Sequence, residues 1–141
     1  MNTNPDIKLS GSDLSNASMM HVRLEKVDLS YVDMTRTDLT NANLREADLT
    51  EAKLVHADLS NADMMSANLT EANLREADLS RANLTDANLT DANLQCADVR
   101  WTNFHGAVLT GADFHGAILG TASLRTMNLH DADLKGATIV V

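Results

Sequence analysis

The sequence predicts an all-β solenoid of square coils, and three observations carry that prediction. Stepping by five from Leu9 to Ile139 meets 27 positions, of which 20 are Leu, three Met, two Phe, one Val and one Ile. Two residues before each of these centres, 19 of the 27 are Ala, and one residue before, 19 are Asp or Asn. No insertion breaks the phase from Ile7 to Val141, and a fixed short period is the mark of a repeat architecture.

Each element of the repeat has a physical reading. A period of five is not helical, because at about 3.6 residues per turn the Leu positions would ring the helix. An unbroken strand fails as well, since its side chains alternate with period two. A short extended piece followed by a bend satisfies both constraints. Ala and Leu then face inward, Asp or Asn faces outward, and two turn-forming or solvated residues take the corner. Four such bends close a square of 20 residues. At a strand spacing of about 4.8 Å the coils pair backbone to backbone, so that just under seven coils make a rod of roughly 32 Å. The outward Asp and Asn are expected to bond nearby turn backbone and to be structural.

Residues 7–141 therefore read as one β-helix domain, preceded by a short mobile lead-in at residues 1–6. The only proline, Pro5, precedes the repeats, as a continuous backbone ladder requires. Residues 104–120 depart mildly: Phe104 and Phe114 replace Leu, and Gly106, Gly111, Gly116 and Gly120 stand at corners. That combination predicts a local change in turn geometry and a packing role, with no ligand.

The formal net charge is −9, which disfavours nucleic-acid phosphates and favours a basic protein partner. No apolar run approaches the roughly 18–20 residues that span a bilayer, and no secretory signal is visible at the N-terminus. Cys96 is the sole cysteine, so no intrachain disulfide forms, and the expected setting is a reducing cytoplasm.

Units four apart stack on one wall. The wall centred on Leu9, Leu29, Leu49 and their successors carries Asp28, Asp48, Glu51, Glu71, Asp91 and Asp131 against a lone Lys8. That wall is the candidate acidic docking face, with Glu51, Glu71 and Asp91 as consecutive rungs of one column. At the C-terminus the pattern turns apolar at positions that otherwise face water. Leu119, Leu124, Leu134, Ile139, Val140 and Val141 are the candidate end for homodimerisation, because an open coil end exposes unpaired backbone.

Catalytic chemistry is not expected. His21, His56, His105, His115 and His130 fall at outward turn positions on all four walls, without metal-ligand spacing. No glycine-rich phosphate loop appears, and a Leu-filled interior leaves no pocket, so no cofactor or metal is expected.

The run from Thr40 to Cys96, TNANLREADLTEAKLVHADLSNADMMSANLTEANLREADLSRANLTDANLTDANLQC, resembles the pentapeptide-repeat proteins, and the resemblance extends over residues 7–141. It implies a right-handed quadrilateral β-helix with four pentapeptides per coil; the hand comes from the resemblance alone. Two functions then stand as expectations. One is a non-catalytic interaction or scaffolding module. The other is a mimic of B-DNA that binds DNA gyrase or topoisomerase, as a subset of that family does.

Overall fold

The computed structural model describes residues 7–130 and 132–141. The expected lead-in at residues 1–6 and the candidate acid Asp131 lie outside the described residues. The period becomes a stack of parallel rungs. Most residues before a centre bridge their counterpart 20 positions on, as in Asp28↔Asp48, Asp48↔Asn68 and Asn68↔Asn88. The rungs lengthen on one wall near the C-terminus, where β1 (Asp98–Val99), β2 (Ile118–Gly120) and β3 (Thr138–Val140) form a parallel sheet in the order β1-β2-β3.

One unit shows how the backbone is satisfied. Asp48 N–H donates to Val27 O at 3.0 Å, Leu49 N–H to Asn68 O at 2.7 Å and Glu51 N–H to Thr70 O at 2.9 Å. Ala52 N–H then closes the corner on Leu49 O at 3.0 Å. The corner is a four-residue turn with positive φ at its third residue, the signature of a type II turn. Eighteen non-glycine residues take this left-handed conformation, from φ 52 at Glu51 to φ 64 at Trp101. In the interior coils each such corner has a neighbouring coil on both sides, which is the kind of surrounding that sustains such backbone.

The centres fill the interior. Leu29, Leu49, Leu69, Leu89 and their equivalents are fully buried, and the Ala residues beside them are equally inaccessible, which lets the walls approach closely. Phe104 and Phe114 meet edge to face, ring centroids 6.0 Å apart, inside the same core. Thr37 and Thr102 stand where Ala is usual. Each donates its buried hydroxyl to a carbonyl of the preceding coil, Leu14 O at 2.8 Å and Leu79 O at 2.7 Å. Among the described residues no buried side-chain nitrogen or oxygen lacks a partner.

One expectation is corrected. Gly106, Gly111 and Gly116 have φ 71, 72 and 72, the same left-handed corner as their non-glycine neighbours, so glycine here brings no new turn geometry. The real departure lies just beyond, where the corner is replaced by a helical turn, α1 (Thr121–Leu124), with Gly120 as its N-cap at φ −92. The cause is chemical. The left-handed region strongly disfavours a β-branched side chain. No corner position from Gly11 to Gly116 is Val, Ile or Thr, whereas Thr121 and Thr126 are, and neither has positive φ.

Candidate functional site

The structure divides the five described candidate acids into two kinds. Glu51, Glu71 and Asp91 occupy successive corners at φ 52, 56 and 56, exposed to solvent and one coil apart. None of the three forms an ion pair among the described residues. The Asp91 carboxylate leans over Gly111, where an added Cβ would lie 2.0 Å from Asp91 Oδ1, so glycine leaves room for that carboxylate. Asp28 and Asp48, in contrast, belong to the wall. Asp28 Oδ1 accepts from the Ser30 N–H at 3.1 Å and hydroxyl at 2.7 Å, and Asp48 Oδ1 accepts both donors of Thr50. The acidic face is therefore a three-carboxylate edge, with exposed Tyr31 one coil before Glu51.

What Asp28 and Asp48 do, the whole column does. All 19 Asp and Asn residues that precede a centre accept, through Oδ1, the backbone N–H two residues on. That bond pins the entry to each corner. It also holds several carboxyls below their ordinary range. Asp13 is lowered by the Ser15 N–H, while Asp28, Asp33 and Asp38 are lowered first by the side chains of Ser30, Thr35 and Thr40 and then by their N–H groups. Asp113 is lowered by the Gln95 amide. At Asp98 burial opposes ionisation, yet bonds from Arg100 prevail and the pKa still falls.

The sign of the linkage follows. A carboxyl with a depressed folded pKa stabilises the fold fully above its unfolded value, near 3.8 for these groups. That stabilisation is lost as pH falls through the folded value. The melting temperature is expected to be flat from about pH 7 to pH 5 with respect to these groups and to drop progressively below about pH 4, measured by circular dichroism at fixed ionic strength.

Asp and Asn are interchangeable for the turn bond but not between coils. An amide can also donate to the coil before it, and a carboxylate cannot. Thr50 Oγ1 donates to Asp48 at 2.5 Å and receives Asn68 Nδ2 at 2.7 Å; Thr70 Oγ1 donates to Asn68 at 2.6 Å and receives Asn88 Nδ2 at 2.9 Å. The hydroxyl ladder is thus consumed in an axial zipper. Asn68→Asp would remove that donor and set two carboxylates on adjacent rungs. It is expected to cost about 1–3 kcal/mol at neutral pH, with part of the loss recovered as the pH falls into the carboxylate range. Paired thermal melts of variant and wild type at two pH values check this.

The candidate dimer end is also divided. Leu119 is fully buried beneath the last coil, so it is not part of any free surface. Leu124 and Leu134 are half-buried, Ile139 is 61% exposed, Val140 is half-buried and Val141 is exposed. All five histidines are exposed. His56 Nδ1 lies 3.2 Å from Glu76, which also pairs with Arg75. Cys96 is an exposed free thiol. Among the described residues no group of His, Cys, Asp and Glu is arranged to hold a metal, and no helix is long and apolar enough to cross a membrane.

Comparison with known proteins agrees with this geometry. The family model for pentapeptide repeats matches in eight copies, over residues 6–41, 28–64, 42–81, 67–106 and 107–139. Curated proteins yield no match. Among solved structures, a pentapeptide repeat protein of the Arabidopsis thaliana thylakoid lumen is 39% identical, covering 76% of this chain and 68% of its own, with a TM-score of 0.53. QnrB1, a plasmid-mediated fluoroquinolone resistance protein, superposes with a TM-score of 0.66 at 19% identity over 91% of this chain and 65% of its own, a likeness of fold alone. The chain belongs to the pentapeptide-repeat family, and its fold is that family's right-handed quadrilateral β-helix.

Proposed function

We propose that this chain is a non-catalytic protein-interaction module that presents an acidic edge to a basic protein surface, without cofactor, metal or direct contact to nucleic acid or membrane. The observation that carries the reading is the column Glu51, Glu71 and Asp91. Every wall carboxylate is engaged by its own turn, whereas these three corner carboxylates have no cation beside them. Like charges one rung apart, about 4.8 Å, lie inside the Debye length of about 8 Å at physiological salt. A partner's Lys or Arg side chains would relieve that repulsion and gain electrostatic steering. The lone exposed thiol suits a reducing compartment such as the cytoplasm.

A pull-down with wild-type protein and with Glu51→Lys, Glu71→Lys and Asp91→Lys combined tests the edge. Partners captured by the wild type are expected to be lost from the triple variant and to elute at raised ionic strength; identical partner sets would refute the reading. The exposed Ile139 and Val141 support homodimerisation through the C-terminal coil, and a sedimentation profile of pure monomer at roughly tens of micromolar would end that part of it.

A second reading, a DNA mimic acting on gyrase, is favoured by one feature: carboxylates repeated at a regular rise along a slender particle of net charge −9. A supercoiling assay with and without quinolone decides it. Unchanged supercoiling at micromolar protein removes the mimic and leaves the interaction module standing.

A further inference from the structure

The ladder between coils is interrupted beside α1. In the interior, Leu89 N–H donates to Val108 O at 2.8 Å, Asp91 N–H donates to Thr110 O at 2.9 Å, and Ala87 O accepts Val108 N–H at 2.9 Å. The equivalent groups one coil on, Leu109 N–H, Gly111 N–H and Ala107 O, have no partner among the described residues. On this wall the bridges end at Asn88↔Val108, and pairing with the last coil resumes on the next wall at Asp113↔Asp133. The helical turn is the cause. Ser123 O accepts from Thr126 N–H and Met127 N–H, and Phe104 N–H turns to Thr126 Oγ1. Residues 127–129 follow without a bridge to this edge, and Leu129 is 38% exposed where Leu89 is fully buried.

Two carboxylates frame this stretch of backbone. It runs from the corner at Gly106 to the corner at Gly111, and Asp86 and Asp91, one coil before, lean over those two glycines. A Cβ at Gly106 would lie 2.1 Å from Asp86 Oδ1, the same arrangement as at Asp91. Both carboxylates belong to exposed residues, and neither has an ion pair among the described residues. Between them Val108 stands where Asp or Asn is usual and is 48% exposed. Unpaired strand backbone is costly to leave unsatisfied and is a template for another strand.

We propose that this edge binds an extended basic segment of a partner protein by strand addition. The partner's backbone pairs with Ala107 O, Leu109 N–H and Gly111 N–H, and a Lys or Arg at each end meets Asp86 and Asp91. The spacing follows from the wall. Its extended part, residues 107–110, spans about 13 Å at roughly 3.3 Å per residue, so the two cations stand four residues apart and, by the alternation of a strand, on one face. The residue midway between them lies over Val108 and is apolar. The incoming strand takes the place of Leu129, which gives up little because its side chain is already part exposed. Of the acidic column only Asp91 is shared, so the pull-down above and the titration below can fail separately.

The probe is acetyl-Lys-Ala-Val-Leu-Lys-amide, titrated against the isotope-labelled full chain and followed by NMR at the backbone amides of Leu109 and Gly111. Saturable shifts of both amides with slowed hydrogen exchange are expected. A peptide with Pro for Val keeps both charges but loses the central N–H, and is expected to bind at least about fivefold more weakly. A peptide with Glu for both Lys is expected to lose about tenfold or more. Asp86→Asn weakens the first peptide by about two- to fivefold; Asn tolerates the left-handed corner, and matching thermal melts confirm that the variant folds. Unmoved Leu109 and Gly111 amides up to about 5 mM peptide, near the weak limit of measurable binding, would overturn the proposal. So would equal affinity for the Pro or the Glu peptide, or an unchanged affinity in Asp86→Asn.

Discussion

Leu69→Asp abolishes cooperative unfolding of the central coils. Leu69 has no exposed surface, and Leu49 and Leu89 above and below it are equally inaccessible. The change removes the contacts of a buried Leu, worth about 2–5 kcal/mol when truncated to Ala. It also places a carboxyl where no partner waits, a further cost of several kcal/mol even if the group takes up a proton. Total stabilities of about 5–15 kcal/mol leave little after such a loss. Because each coil contacts only its neighbours, the damage divides the rod instead of spreading evenly. Circular dichroism melts together with limited proteolysis check it, with cleavage expected near residues 60–80. Leu9→Asp serves as the contrast: Leu9 lies half-buried in the first described coil, and a sharp transition is expected to survive. A normal melt for Leu69→Asp would contradict the buried spine.

Ser66→Val lowers stability by about 1–3 kcal/mol, although Ser66 is exposed and its side chain touches nothing that matters to the core. Its φ is 57, and its N–H donates to Thr85 O at 2.9 Å, so the backbone cannot leave the left-handed region without breaking a bond between coils. A β-branched side chain in that region is a true outlier. Ser66→Gly is the control, expected within about 1 kcal/mol of wild type because glycine relieves the strain while loosening the unfolded chain. Denaturant midpoints measure both. Equal midpoints for the Val and Gly variants would show that the corner tolerates branching and would leave α1 without its explanation.

The spine and walls were legible because they depend on residues within five positions of each other. Every centre from Leu24 to Leu119 that the period marks is buried, and every Asp or Asn before a centre bonds the turn two residues on. The helical corner had a visible signal, Thr at 121 and again at 126, that the glycines at 106, 111 and 116 obscured. The difference between Asp48 and Asn68 was not readable from either unit. Both make the same local bond, and only the coil before, through the Thr50 hydroxyl and the Asp48 carboxylate, gives the Asn68 amide its further partners. The five described acids assigned to one wall proved unequal: Asp28 and Asp48 are taken up by their own turns, while Glu51, Glu71 and Asp91 reach solvent.

By itself the sequence determined the period, the inward set and the square coil, since these are consequences of hydrophobic spacing and turn chemistry along a short stretch of chain. Only the tertiary structure decided which carboxylates stand without an ion pair and which of the apolar residues near the C-terminus are covered. Those outcomes depend on contacts between residues 20 positions apart, and on a single corner where branching at Cβ forces the chain to leave the left-handed path.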